Sequence, residues 1–334
     1  MNTQAVLAVF KRNLAAYFGS PSGYVFICAF LLSSGLAAFW PQEFFDSNLA
    51  NLDQLNRYLP LILLGFIPAI TMSIWADEKR QGTDELLLTL PGSDFDVVIG
   101  KYLGAVAIFS VSLVISLIAN YYVLSQLGNP DFGLLVSTYL GYWFVGLSMI
   151  AIGMVASFLT ANLTVAFVLG VAFNSPLALL QDSEWAIAAN FLDFSRGIIS
   201  TSGMIFFIGL AVAMLYLSSI LIGRRHWVGS PQGKNKFSHF SVRVVAILVT
   251  AFALTQYFRN HDIVRLDATA EQLSSLSEGS IDLLGQLNSQ VEIDAFISPT
   301  DSIPEQYVQT RINLLTALRE IDRETKLVSV KIHE

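Results

Sequence analysis

Read from its N-terminus, the chain alternates between long apolar stretches free of Asp, Glu, Lys and Arg and short segments where those residues collect. An uncharged apolar run of about 18 or more residues is long enough to cross the hydrocarbon core of a bilayer as a helix. The pattern predicts spans over roughly 22–40, 59–75, 102–124, 134–159, 163–180, 204–222 and 240–257. The last has 14 residues between Arg243 and Phe258, so it reaches across only if Arg243 snorkels back to the interface. Lys11 and Arg12 precede the first run as in a secretory signal, but the run outlasts a signal's apolar core and lacks a small-x-small cleavage site. It reads as a retained span.

The period changes after Phe258. Val291 to Ile297 alternates apolar and polar, Pro304 to Glu324 has helical spacing with Pro304 in its first turn, and Leu327 to Ile332 alternates again. Strand, helix, strand is the opening of an α/β domain, and the expectation is the front portion of a longer protein. Gly229 to Phe237 (GSPQGKNKF) is the Gly/Pro/Lys-rich break between apolar segments. The predicted fold is therefore an all-α polytopic membrane unit of six spans over residues 1–225 and a linker over 226–239. A seventh span over 240–257 and an incomplete extracytoplasmic α/β domain over 258–334 follow.

Composition agrees with a membrane chain: 54% of the 334 residues are hydrophobic and 13% charged, against about 25% charged in soluble domains. The net charge of -7 belongs to the tail, because 13 acidic and 12 basic residues precede Phe258 while 13 and 7 follow from there. With no basic block, the chain offers no electrostatic footprint for nucleic acid; membrane lipid is the partner its apolar surface implies. A single cysteine, Cys28, inside the first run excludes a disulfide within the chain.

Lys and Arg mark cytoplasmic loops when counted close to the spans. One side collects Lys11, Arg12, Lys79, Arg80, Lys101, Arg224, Arg225, Lys234, Lys236 and Arg243, whereas the opposite loops hold Arg57 and Arg196. The asymmetry puts the N-terminus in the cytoplasm of a bacterium, the spans in its inner membrane and the tail in the periplasm.

The first six spans contain no Asp, Glu, Lys, Arg or His. A gradient-driven carrier needs such an intramembrane group or an unwound midplane site, so energy must come from elsewhere. Gly229 to Asn235 (GSPQGKN) lacks P-loop spacing and the Ser or Thr after its Lys. Scattered histidines and the absence of HExxH and GxSxG argue against an enzyme.

The most informative loop is Trp75 to Gly104 (WADEKRQGTDELLLTLPGSDFDVVIGKYLG). Gly82 and Thr83 break and cap the chain, Asp84 and Glu85 lie where a helix N-terminus favours negative charge, and Leu86, Leu87, Leu88 and Leu90 follow. This predicts a short amphipathic helix along the membrane surface, read either as a solvated interfacial helix or as a helix that docks on an ATPase. Pro91-Gly92 ends it, and Ser93 with Asp96 resembles a capping box opening the next helix.

The stretch from Asp77 to Gly104 resembles the corresponding loop of type-2 ABC exporter permeases, specifically the gliding-motility and related ABC permease family. Lys11 to Phe26 (KRNLAAYFGSPSGYVF) and Asn190 to Thr201 (NFLDFSRGIIST) are similar to that family too. The resemblance implies six spans, an N-terminal interfacial helix, and a coupling loop between the second and third spans. It also implies a homo- or heterodimer of permease chains bound to two ABC ATPase subunits, which carry the ATP and Mg. Carried over by position, Asp77, Glu78, Lys79, Arg80, Gly82, Thr83, Glu85, Leu86, Leu87 and Leu88 become the ATPase-coupling residues, with Asp84 a departure where an apolar residue is expected. Val264 to Ser298 (VRLDATAEQLSSLSEGSIDLLGQLNSQVEIDAFIS) resembles the start of the auxiliary subunit of such permeases: a membrane anchor followed by an extracytoplasmic α/β domain.

Between the fifth and sixth spans, Trp185, Phe191, Phe194 and, at the start of the sixth span, Phe206 surround the polar residues Asp193, Ser195 and Arg196. An interfacial aromatic belt explains them; the resemblance implies instead an elbow at the outer mouth, formed by Phe191, Phe194, Arg196 and Gly197. Gly141, Gly146, Gly153 and Gly170 permit close helix packing, within the chain or across a dimer seam. The function read from the sequence is an ATP-driven export permease. The competing reading is an ATP-driven scaffold that acts on periplasmic partners without transport.

Overall fold

A computed structural model describes residues 2–47, 49–84, 87, 93–179, 186–223, 233–260, 265–270, 278–287, 289–298, 310–311, 314–315, 317–318, 321–322 and 327–333. Twelve helices and four short strands are described, in the order α1 (Thr3–Phe18), α2 (Pro21–Phe39), α3 (Gln42–Ser47), α4 (Asp53–Thr71), α5 (Ser73–Gln81), α6 (Asp94–Leu127), α7 (Phe132–Phe158), α8 (Leu163–Leu179), α9 (Ile187–Ser195), β1 (Ile198–Ser200), α10 (Thr201–Gly223), α11 (Gly233–Asn260), β2 (Arg265–Asp267), α12 (Glu278–Gly285), β3 (Val291–Phe296) and β4 (Val328–His333). The chain is an all-α polytopic membrane protein with a few strands towards its C-terminal end.

Among the described residues, five helical stretches are long and apolar enough to cross a membrane: 53–81, 94–127, 132–158, 201–223 and 241–259. A sixth arises if α1 and the following helix count as one span, although they meet at a bend of 73°. The sequence predicts seven; α8, with 17 residues, is a shorter apolar helix. At 1.5 Å per residue α8 is about 26 Å long, just under a hydrocarbon core of about 30 Å. By the same arithmetic the 34-residue α6 is about 51 Å long, so its first turns, which hold Asp94, Asp96 and Lys101, project beyond the apolar core.

Local chemistry sets the helix ends. Pro21 opens α2 at a first-turn position, where its missing N–H costs nothing. Ser93 and Asp96 close the expected capping box on α6. Pro176 inside α8 leaves the Ala172 carbonyl without its helical donor, and the Ser175 hydroxyl supplies one at 2.9 Å. The break before α11 is shorter than the sequence suggests. Helix begins at Gly233, so residues 233–239 of the expected linker belong to α11, and 224–232 lie outside the described residues. Once Pro231 is passed, Lys-Asn-Lys-Phe meets no further helix breaker, and the part of the 28-residue α11 that is apolar enough to cross, 241–259, includes Arg243 close to its start.

The core centres on α7, with 83% of its span window buried. The four glycines serve packing within the chain: a Cβ at Gly146 would lie 1.9 Å from the Phe109 ring, at Gly153 2.3 Å from Thr71, at Gly141 2.6 Å from Phe194, and at Gly170 3.0 Å from Pro68. A buried ladder ties α2, α6 and α7 together: Ser34 and Ser116 hydroxyls lie 2.9 Å apart, Ser116 and the Tyr139 hydroxyl 3.0 Å, and Asn120 donates to Tyr139 at 2.8 Å.

The chain runs so that α1, α5, the start of α6 and the end of α7 gather at one end of the bundle. The α2–α4 connection, the start of α7, α9 and β1 gather at the other. In the tail, β3 and β4 pair in parallel, Val291 opposite Val328 through Phe296 opposite His333. Of the expected helix 304–324, residues 310–311, 314–315, 317–318 and 321–322 are described, and they are helical.

Candidate functional site

At the first end, α5 is a two-turn helix whose N-terminus has no side-chain cap of its own. The first N–H groups of a helix lack partners within it, and here another helix supplies one. Ser157 near the end of α7 accepts from the Trp75 and Ala76 N–H groups at 3.1 and 3.2 Å, and its hydroxyl donates to the Met72 carbonyl at 2.8 Å. The opposite terminus of α5 closes on Gly82, in the left-handed region at φ 69°. The Thr83 N–H bonds the Glu78 carbonyl at 3.0 Å and the Gly82 N–H bonds that of Lys79 at 3.3 Å. Lys79 and Arg80 lie in the last turn, where cations favour the helix dipole.

Glu78 faces inward. Its carboxylate binds the Lys101 ammonium at 2.7 Å and the Arg12 guanidinium, joining α5 to α6 and α1. The Lys101 side chain is 1% exposed; it also donates to the Ile74 carbonyl at 2.6 Å and sits 4.6 Å from the centre of the Trp75 ring. Two charges taken out of water are stable only with good geometry and further hydrogen bonds, and Lys101 has both. Lys79 lies over the Phe158 ring at 3.8 Å and bonds the Phe158 carbonyl. Asp77 and Arg80 face outward, paired at 2.6 Å, with Gln81 donating to Asp77 at 2.9 Å.

Thus Asp77, Glu78, Lys79, Arg80, Gly82 and Thr83 are brought together. Leu87 is buried, while Glu85, Leu86 and Leu88 lie outside the described residues, as does most of the amphipathic helix read there. Arg12, Trp75, Lys101 and Ser157 complete the cluster and were not singled out by the loop motif. A lysine between the apolar Val97-Val98-Ile99 and Tyr102-Leu103 is the signal that could have marked Lys101 as buried. Helix α1 reaches the cluster because Gly100 has no side chain: a Cβ there would lie 2.8 Å from that of Val9.

At the other end, Phe191 and Phe194 on α9 point into the core rather than lining a lipid interface. Phe191 stacks on Tyr142 with ring centres 5.4 Å apart, and Tyr142 donates to Asn56 at 2.6 Å. Arg196 is the C-cap of α9, its N–H bonded to the Asp193 carbonyl at 3.0 Å. Gly197 follows at φ 85°, a conformation that favours glycine, and turns the chain into β1. An apolar groove of about 1300 Å³ runs between α2 and α4, from Tyr17 and Ser73 at one end to Trp40 and Glu43 at the other.

A bundle of helices long and apolar enough to cross a membrane, with a charged, capped helix at one end and the turn from α9 into β1 at the other, defines a polytopic membrane protein. The family model described as ABC-2 family transporter protein matches residues 49–225, just over half of the chain, and the chain belongs to that family. It is accordingly a permease subunit of an ABC transporter, and membership implies an ABC ATPase partner. No curated protein and no solved structure matches the chain. Helices α1 to α3, α11 and the tail lie outside the matched residues.

Proposed function

We propose that this chain is the membrane subunit through which separate ATPase subunits, carrying ATP and Mg, drive export across the bacterial inner membrane. In this reading α5 is the coupling element. The observation that carries it is the splitting of α5 into two faces. Glu78 and Lys79 lock inward onto α1, α6 and α7, while Asp77 and Arg80 present a charged surface outward, with side chains 33% and 59% exposed. A partner that pushes on Asp77, Arg80 and the loop through Leu88 pushes the bundle, because α5 cannot shift without taking Lys101 and Ser157 along.

The α5 end is then cytoplasmic and the α9 elbow periplasmic, in keeping with the greater number of Lys and Arg at the former. The chain acts as a homo- or heterodimer of permeases, as the resemblance to gliding-motility and related permeases implies, with α11 and the tail corresponding to the auxiliary subunit of such systems. Hydrocarbon suits the groove between α2 and α4, which is the basis for membrane lipid as a partner.

The test is affinity purification from native membranes in mild detergent, with ATPase activity assayed on the eluate. The double variant Asp77→Lys/Arg80→Glu is expected to lose the ATPase while its own melting temperature is kept. Glu78→Gln is expected to retain the ATPase but to lower the permease's melting temperature. Undiminished ATPase recovery with Asp77→Lys/Arg80→Glu would remove α5 as the docking element.

A further inference from the structure

The segment that follows α11 returns to the bundle. Residues Arg265, Leu266 and Asp267 form β2, antiparallel to β1, with Ile198 opposite Asp267, Ile199 opposite Leu266 and Ser200 opposite Arg265. Beyond the ladder the chain keeps contact. The Ala268 N–H bonds the Gly197 carbonyl at 2.9 Å, and the Ala270 N–H bonds Asp131 Oδ2 at 2.8 Å. The other oxygen of Asp131 caps α7 through Gly133 and Leu134 at 2.8 and 3.1 Å. One carboxylate thus holds both the start of α7 and the returning segment. Thr269 folds onto Asp267, whose Oδ1 accepts from its N–H at 2.9 Å and its hydroxyl at 2.6 Å.

The fit is close enough to exclude side chains. A Cβ on Gly133 would lie 1.6 Å from the Ala268 carbonyl oxygen, and one on Gly197 would lie 2.3 Å from the Thr269 methyl. Arg259, at the end of α11, donates to Asn190 of α9 at 3.2 Å, so the approach to β2 is tethered as well.

We propose that residues 265–270 are a strap that latches the elbow formed by α9 and β1 to the start of α7. The elbow then cannot swing away from α7 without releasing the strap, and the tail moves with the bundle instead of hanging from α11 alone. The strap lies outside the residues shared with the ABC-2 family, and the inference does not depend on what the bundle transports or on which ATPase drives it.

Two measurements on the full chain test it. In a Cys28→Ser background, the pair Ile199→Cys/Leu266→Cys is expected to form a disulfide under mild oxidation in native membranes, since facing residues of an antiparallel pair lie within bridging range. The reference is Gly209→Cys/Ala251→Cys, across the tight contact of α10 with α11. Cross-linking of the reference pair but not of the strap pair would overturn the proposal. Separately, hydrogen exchange is read on the backbone amides of 198–200 and 131–135. Ala268→Pro, which removes the donor to Gly197, and Gly133→Val, which displaces the Ala268 carbonyl, are each expected to speed exchange at 198–200 at least tenfold while α10 keeps its protection. Parental exchange at 198–200 in both variants would also overturn it.

Discussion

Around Lys101 the chain fastens one end of its bundle with buried charge, whereas around Gly197 it fastens the other with backbone pairing, aromatic stacking and a single carboxylate. The first end gathers the Glu78, Lys101 and Arg12 side chains with a cap supplied by Ser157. The second gathers the β1–β2 ladder, the Tyr142–Phe191 stack and Asp131. The difference has a mechanical meaning. A desolvated ion pair tolerates little displacement, because losing one partner strands the other charge in a poor solvent. A short edge ladder can open and re-form by exchanging its bonds with water. The charged end suits rigid attachment and the strand end attachment that can be released.

The largest expected effect lies at the rigid end. Lys101→Met leaves Glu78 with Arg12 alone and is expected to destabilise the folded permease by about 3 kcal/mol, the usual cost of breaking a buried pair from one side. The added change Glu78→Leu, which removes the carboxylate left with Arg12 as its one ion-pair partner, is expected to recover part of that loss. Thermal unfolding in detergent reads both. A silent Lys101→Met would mean that the pair does not hold α5 in the folded protein. Next comes Ser157→Ala, which leaves the Trp75 and Ala76 N–H groups without their acceptor. It is expected to cost about 1–2 kcal/mol, as loss of a helix cap does. An outcome near zero would show that water replaces the hydroxyl there.

How much of this was legible in the sequence follows from distance along the chain. Uncharged runs give the helices, and the Ser93–Asp96 box and the Gly82 stop show where α6 begins and α5 ends, because each signal is local. Lys101 was legible only as a basic residue flanking a span, since its partner Glu78 lies on a different helix. Ser157 reads as one more small residue in an apolar run; what makes it a cap is the approach of α5 from another part of the chain. The glycines could be read as packing sites but not assigned partners, and Gly146 finds Phe109 only in three dimensions. The strap was least legible of all. Three residues of strand carry no periodicity, and Val264 to Asp267 reads as the start of the tail rather than as an edge for β1.

At the strand end the effects are expected to be smaller. Tyr142→Phe removes the hydrogen bond to Asn56 but keeps the stack on Phe191, and about 1 kcal/mol is expected, the scale of interhelical hydrogen bonds inside membrane proteins. If the loss matches that of Lys101→Met, the contrast between the two ends fails, and the far end is as dependent on polar burial as the near one.

The smallest effect is a dependence on acid, and it sharpens the comparison because it reads a contact at the charged end. Asp96 lies in the first turn of α6, beyond the apolar core. The Ser93 N–H at 3.0 Å, with further hydrogen bonds from the Ser93 hydroxyl and the Asn2 N–H, holds its carboxyl below the ordinary value of 3.8 despite the opposing effect of burial. A carboxyl lowered on folding stabilises the folded chain at pH values above that ordinary value, and the contribution fades as pH falls through it towards the folded-state value. The parent protein is therefore expected to lose melting temperature between about pH 5 and pH 3, by more than Asp96→Asn does, with the α1 amides next to Asn2 the first to exchange faster. If parent and variant fall in parallel, the acid response belongs to other carboxylates. In that case the anchoring of α1 rests on Val9 against Gly100 of α6 and on Arg12 with Glu78 of α5, not on the capping box.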